Sequence, residues 1–299
     1  MKKSSMAEFK LDPVWEKDIA EKRELVNLWL ERLLPPEDSV PVQLHEAMRY
    51  SVMAGGKRFR PLLALYAYGL SGNDPVDIIK PACALEYIHT YSLIHDDLPC
   101  MDDDDLRRGR PTVHKKFNET IAVLAGDALH AYAFELLASS GNSEIVSEVA
   151  RAIGTYGMLG GQICDILAEN KEINIEELKH IHTHKTGALI RASVRIGAIL
   201  GGISGDDLEV LSGYGEKIGL AFQIVDDILD EVSDTETLGK TAGKDKETGK
   251  ATYPRVVGLE KSRQIAEQLI ASARDDLSRM NIPVEVFHIF ADLIISRQY

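Results

Sequence analysis

At 299 residues, with 34 Lys and Arg against 47 Asp and Glu, the chain carries a formal charge of -13. That excess argues against nucleic acid or an anionic membrane as the main partner, and the length suffices for one large domain or two of ordinary size. The three cysteines, Cys83, Cys100 and Cys164, show no metal-ligand spacing and cannot all pair, a pattern that suits a reducing cytosol. The start, Met1 to Met6, lacks the apolar core of a signal peptide, and the most apolar stretch, Ile196 to Ile203, is too short to span a bilayer. A cytoplasmic protein without stable membrane insertion is expected.

In chain order, apolar residues recur at helical spacing through Val14, Ile19, Val26, Trp29, Leu30 and Leu33, and Pro35-Pro36 closes a helix over 13–34. A second helix is predicted from 42 to 54, closed by Gly55-Gly56. A third begins after Pro61 and stops near Gly72. Others are predicted over 81–98, 119–139, 143–168, 175–200, 206–232, 254–273 and 283–296. Alternating strands bounded by hairpin turns are missing, and no Pro/Gly/Ser-rich linker divides the chain. The pattern is all-α, a single domain over 1–299 with a flexible segment over 1–12. It predicts a bundle of about ten or more mostly antiparallel helices joined by short loops.

Residues 89–110 concentrate the chemistry. Six carboxylates fall within ten residues, at Asp96, Asp97 and Asp102 to Asp105, followed by Arg107, Arg108 and Arg110. Carboxylates this dense repel one another unless solvent or cations neutralise them. Mg²⁺ takes one or two carboxylates with waters and phosphate oxygens, and guanidinium forks suit phosphate. The pairing points to a Mg²⁺–diphosphate site. In an unbroken helix Asp96 and Asp102 would stand about 600° apart, on different faces. Pro99 should end the helix near Leu98 and let the chain swing Asp102 back towards Asp96, while His89, seven positions earlier, shares the face of Asp96. Alone, residues 102–105 read as a solvated acidic loop.

A second acidic group makes that bland reading harder to hold. In Gly219-Leu-Ala-Phe-Gln-Ile-Val-Asp-Asp-Ile-Leu-Asp230, Asp226 and Asp230 project from one helix face with Asp227 beside them, and Gln223 is the polar exception one turn earlier. Gly55-Gly-Lys-Arg-Phe-Arg-Pro61 places three cations between two helices. His180, His182 and His184 are spaced by two, which does not align them as a metal site on one helix face. Gly213 to Gly219 has the wrong spacing for a dinucleotide loop and no preceding strand. The lysine-rich stretch 238–254 reads as a surface loop.

Together, Asp96-Asp97-x4-Asp102 with Arg107-Arg108, and Asp226-Asp227-x2-Asp230 later, resemble the two aspartate-rich motifs of the trans-prenyltransferases, with the closest similarity to bacterial farnesyl diphosphate synthases. The resemblance runs from about Leu44 to the C-terminus. It implies an isoprenoid synthase-like bundle around a deep central cavity, usually a homodimer. Lys57, Arg60, His89 and Arg108 would bind isopentenyl diphosphate, with Arg297 helping to cover it. Arg107, Lys185, Thr186, Gln223 and Lys240 would bind the allylic diphosphate. Asp96, Asp97, Asp102, Asp226, Asp227 and Asp230 would hold Mg²⁺, three ions per site. Lys185, Thr186, Gln223, Asp96 and Asp226 would act in catalysis. Thr186, within a kinked helix, and Gln223 would direct oxygen dipoles at the developing carbocation.

The reaction so implied is ionisation of the allylic diphosphate, attack by the isopentenyl double bond and loss of a proton, with 238–254 excluding water as a lid. Tyr91 and Ser92, five and four positions before Asp96, would set product length; a bulky Tyr91 as pocket floor implies farnesyl diphosphate. The x4 spacing is shared with many geranylgeranyl diphosphate synthases, which makes a twenty-carbon product the alternative. A terpene cyclase would not need the Lys57/Arg60/His89 site, a noncatalytic prenyltransferase subunit would carry decayed motifs, and a Ca²⁺-binding protein would need a glycine-turned loop.

Overall fold

A computed structural model describes residues 11–232 and 249–296. Helix α1 (Pro13–Leu33) starts where Asp12 accepts the Val14 N–H at 2.8 Å and Pro13 fills the first turn. It is followed by α2 (Val42–Val52), α3 (Phe59–Gly69), a single 3₁₀ turn (Pro75–Ile78) and α4 (Ile79–Asp96). A small hairpin, β1 (Leu106–Arg107) with β2 (Arg110–Pro111), leads through the short α5 (Val113–Lys116) into α6 (Glu119–Ala138). Next come α7 (Ser143–Ile153), α8 (Met158–Ala168) and α9 (Ile175–His182), the last opened by a capping box between Asn174 and Glu177. A π-turn (Thr183–Gly187) joins α9 to α10 (Ala188–Leu200). The long α11 (Gly205–Val232), α12 (Tyr253–Val257), α13 (Leu259–Leu277) and α14 (Glu285–Ile295) complete the described chain.

The expected all-α architecture is what forms, and the departures have local causes. The helix expected over 143–168 breaks between α7 and α8, because Gly154 takes extended backbone and a Cβ on Gly157 would stand 2.0 Å from the Ala152 carbonyl oxygen. The helix expected over 254–273 breaks at Gly258, whose φ of 86° lies in the left-handed region. The third helix starts two residues before Pro61 rather than after it, since an N–H in the first turn has no partner to lose. The hairpin and α5 were not expected.

Two apolar clusters form the core. The first gathers α1, α2, α4 and α6 around Leu30, Leu85 and Leu129; the second gathers α11, α13 and α14 around Tyr214, Ile224 and Phe287. Helices α3 and α10 contribute to both, and they approach so closely that a Cβ on Gly197 would meet the Ala64 carbonyl oxygen at 2.1 Å. Helix α4 is buried nearly all round, which fits its continuous apolar sequence. It packs along α6, which by length and composition alone is apolar enough to cross a membrane. The most apolar candidate is therefore α6 rather than Ile196 to Ile203. One of its faces, including Ala122, Leu129 and Leu137, is buried in the first cluster.

Candidate active site

The buried helices α4 and α11 end in the two acidic motifs. At the end of α4 the chain turns back on itself: the Asp102 N–H donates to the Asp96 carbonyl at 2.8 Å, Asp103 N–H to Leu98 at 3.1 Å, and Asp104 N–H to Asp97 at 3.2 Å. Asp103 makes the reversal with a φ of 48°. The backbone thus returns Asp102 to Asp96, as Pro99 led us to expect. Burial raises the pKa of Asp96, with Asp102 adding to the effect while Lys185, Arg107 and Lys250 oppose it. Burial also works against ionisation of Asp102, but Lys250, its Nζ 2.9 Å away, and Lys185 outweigh it and hold the carboxyl below its usual range.

Asp97 and Asp104 turn inward instead. Arg107 lies 2.6 Å from Asp97 and 3.3 Å from Asp104, so one guanidinium clasps both. Burial pushes the Asp97 carboxyl up to about 6, with Arg107 pulling against it.

On α11, Asp226 is half-buried, and Asp227 and Asp230 are buried. Three donors surround the Asp227 carboxylate: His182 Nε2 at 2.9 Å, the Tyr253 N–H at 2.9 Å and the Gln223 side-chain amide at 3.1 Å. Gln223 Oε1 accepts from the Thr186 hydroxyl at 2.7 Å. Thr186 and Lys185 sit in the π-turn, where the wider helix displaces their side chains from the α-helical register. Glycines let neighbours approach that turn: a Cβ on Gly161 would stand 2.2 Å from the Lys185 nitrogen, and one on Gly219 2.7 Å from the Gly187 Cα. Lys185 donates to Asp165 at 2.6 Å; burial disfavours its charge, but Asp165, Asp96 and Asp102 raise its pKa.

The basic cluster lies between α2 and α3. Arg58, in left-handed backbone at φ 51°, turns inward to Glu86 at 2.7 Å, Asn27 at 2.9 Å and the Val52 carbonyl at 2.8 Å. Arg60 is buried with its Nε lacking a hydrogen-bond partner; burial lowers its pKa to about 10, partly offset by Glu86 and Asp226. Arg108 donates to the Gly55 carbonyl and lies against Gly56, where a Cβ would stand 2.9 Å from its guanidinium carbon. Burial, then Arg60, Arg108, Arg107 and Arg58 in turn, push the His89 pKa well below its ordinary value. Lys57 is exposed at the rim. Cations held this close, with a buried donor unsatisfied, suit an anion with several oxygens.

Tyr91 lies one turn inside the Asp96 end of α4. Only 6% exposed, it meets His130 of α6 edge-on at 4.9 Å, and Phe134 backs His130 at 5.2 Å. Ser92 donates to the His89 carbonyl at 2.9 Å. Lys240 and Arg297 lie outside the described residues. Sequence reasoning missed Asp165, Lys250, Arg58, Glu86 and the role of His182 as a partner of Asp227. Lys250 stood in the lysine-rich stretch already singled out, whereas a lone Asp165 in an apolar helix carried no comparable signal.

Among the described residues, no three His, Cys, Asp or Glu side chains form a ready-made metal cage. The donor set nonetheless fits Mg²⁺, which needs only one or two carboxylates per ion when water and diphosphate supply the rest.

The family model described as polyprenyl synthetase matches residues 41–285, and the chain belongs to that family of prenyltransferases. It is 53% identical over 271 residues to the heterodimeric geranylgeranyl pyrophosphate synthase large subunit 1, chloroplastic, of Arabidopsis thaliana, covering 87% of this chain and 72% of that protein. It is 48% identical to the chloroplastic geranylgeranyl pyrophosphate synthase of Catharanthus roseus, over 82% of this chain and 72% of the relative. Among solved structures it resembles the Helicobacter pylori geranyltransferase complexed with magnesium and isoprenyl diphosphate, at 34% identity and a TM-score of 0.81, covering 96% and 98% of the two chains. The cytoplasmic location expected from the sequence is corrected here, since both of these curated relatives are chloroplastic by name.

Proposed function

We propose that the chain catalyses the Mg²⁺-dependent head-to-tail condensation of isopentenyl diphosphate with an allylic diphosphate, and that elongation runs to twenty carbons. The observation that carries the reaction is the adjacency of two unlike sites. Carboxylates with lysines (Asp96, Asp102, Asp165, Lys185, Lys250) stand beside arginines with a histidine (Arg60, Arg108, His89), with Arg107 near both groups and Asp226 near Arg60. Two diphosphates of different role need two such sites. The twenty-carbon product rests on the names of the curated relatives. A fifteen-carbon stop is favoured instead by Tyr91, a bulky ring buried one turn inside the Asp96 end of α4.

Asp96, Asp102, Asp226 and Asp230 would hold the metal, three ions being the proposed complement. Asp97 and Asp227 are engaged by Arg107 and by His182, Tyr253 and Gln223, so they serve better as supports. When bound, Mg²⁺ neutralises the allylic diphosphate and makes it a leaving group. Lys185 and Lys250 add cationic charge at the same place, and Lys240 is proposed to join them. Thr186 and Gln223 direct oxygen dipoles at the allylic carbon as positive charge develops. Lys57, Arg60, His89 and Arg108 hold isopentenyl diphosphate so that its double bond meets that carbon, and the condensed cation then gives up a proton to the released diphosphate. The proposed partner is a second copy of the chain; Leu159, Ile163 and Leu167 recur at one-turn spacing on α8 and are 51%, 51% and 58% exposed.

Purified protein incubated with dimethylallyl diphosphate, labelled isopentenyl diphosphate and Mg²⁺ tests the reading, with the dephosphorylated products identified by mass. Geranylgeraniol is the expected alcohol, and farnesol would establish the shorter product. Absence of anything longer than the starter overturns the condensation itself.

A further inference from the structure

The Asp227 carboxylate is 5% exposed and sits where three separate segments meet. His182 approaches from the end of α9, Gln223 from one turn earlier on α11, and the Tyr253 N–H from the start of α12. The His182 ring lies against the Tyr253 ring at 5.4 Å between centroids, so donor and neighbour brace each other. The stretch that brings in Tyr253 is itself tied down. Gly249 accepts from the Asn170 N–H at 3.2 Å, and Lys250 reaches Asp102 of the other acidic motif at 2.9 Å.

The consequence falls on Gln223. A glutamine side chain has an oxygen at one corner and an NH₂ at the other, and only its partners decide which way it faces. A carboxylate accepts and cannot donate. Asp227 therefore takes the NH₂ of Gln223 at 3.1 Å and leaves Oε1 for the Thr186 hydroxyl at 2.7 Å. Turned the other way, Gln223 would offer N–H hydrogens beside Thr186, the positive end of a dipole where an allylic cation is to form.

We propose that Asp227, held by His182 and the Tyr253 N–H, is a positioning residue that fixes the side-chain orientation of Gln223 and so the sign of the dipole facing the allylic carbon. His182 is a second positioning residue, acting through Asp227. This rests on the condensation reading above for its purpose, and on the hydrogen bonds alone for its geometry.

The substitution Asp227→Asn keeps shape and removes only the acceptor. Its Oδ1 stays with His182 and Tyr253, its NH₂ then faces Gln223, and Gln223 must turn round. Adding Gln223→Glu restores an oxygen on both sides, because a carboxylate at position 223 accepts from the introduced amide and from Thr186 alike. Binding is read by calorimetry with two probes, in the presence of Mg²⁺ and pyrophosphate where needed. One is an isoprenoid ammonium that mimics the allylic cation, and the other is the unreactive thiolo analogue of dimethylallyl diphosphate, whose allylic carbon carries no positive charge. Asp227→Asn should weaken the ammonium probe by about a hundredfold, the lower end of the cost of losing one preorganised hydrogen-bonding group, and the thiolo probe by less than about threefold. The double variant should recover most of the loss, and His182→Phe should give a smaller loss in the same direction.

Equal weakening of both probes, a raised Mg²⁺ requirement in Asp227→Asn, or no recovery in the double variant would each overturn the proposal. A fall in melting temperature without probe discrimination would do the same, marking Asp227 as merely structural. Wild-type protein that binds both probes but elongates nothing would sink the condensation reading while leaving this one to its own result.

Discussion

The Asp102 N–H donates to the Asp96 carbonyl at 2.8 Å, closing a loop that brings the two residues near enough for the Asp102 charge to bear on Asp96. Their charge is balanced from two distant places, Lys185 in the π-turn and Lys250 beyond α11. A pair so placed has oxygen ligands to give to a cation, and the lysines keep it from being an uncompensated buried charge. Asp96→Ala would remove one proposed metal ligand and leave Lys185 with fewer counter-charges. We expect turnover to fall about a hundredfold or more, the scale for losing a preorganised electrostatic partner, with an unchanged far-ultraviolet spectrum. Near-normal turnover at saturating Mg²⁺ would remove Asp96 from the metal site.

Tyr91 supplies the test of product length. Its ring is edge-on to His130, which is backed by Phe134, so a pocket floor formed by Tyr91 would have two layers rather than one. Tyr91→Ala should lengthen the main product by one isoprene unit and then stop against His130. Adding His130→Ala should lengthen it again. Product chain length by mass spectrometry decides it, and an unchanged profile in Tyr91→Ala would place the growing chain elsewhere.

Most of the scaffold could be read from the sequence because its signals are local. The apolar spacing of α1, the proline that ends it and the glycines after α2 act within a few residues. The return of Asp102 to Asp96 was legible for the same reason, since Pro99 dictates it. What was not legible depends on distant partners. Asp97 and Asp227 look like their neighbours Asp96 and Asp226 in the sequence. Only the fold shows that Arg107 clasps one and that His182 and Tyr253 hold the other. The break before Gly157 is likewise a matter of which carbonyl a Cβ would strike.

Arg58 and Glu86 illustrate the same point and carry a stability prediction. Each is 2% exposed, and Arg58 also reaches Asn27 on α1 and the Val52 carbonyl at the end of α2. Removing Glu86 alone strands a guanidinium in the core. Glu86→Ala should cost about 3–5 kcal/mol in urea unfolding, as for other buried pairs broken on one side. A loss below about 1 kcal/mol, the range of exposed pairs, would show that solvent reaches the site.

His89 gives the pH test. Burial and four surrounding arginines hold its folded pKa well below 6.5, so it is neutral near pH 6 while an unfolded chain would be partly protonated. The sign follows from linkage: its contribution to stability is largest above pH 6.5 and is lost as pH falls below that value. A bound diphosphate reverses the balance, because its negative charge offsets Arg60 and Arg108 and raises the histidine towards its ordinary value. Binding of isopentenyl diphosphate near pH 6 should therefore take up a fraction of a proton. Calorimetry in buffers of different ionisation enthalpy measures that uptake, and His89→Gln should abolish it. Uptake that persists in the variant would assign the proton to the ligand or another group and detach His89 from the diphosphate.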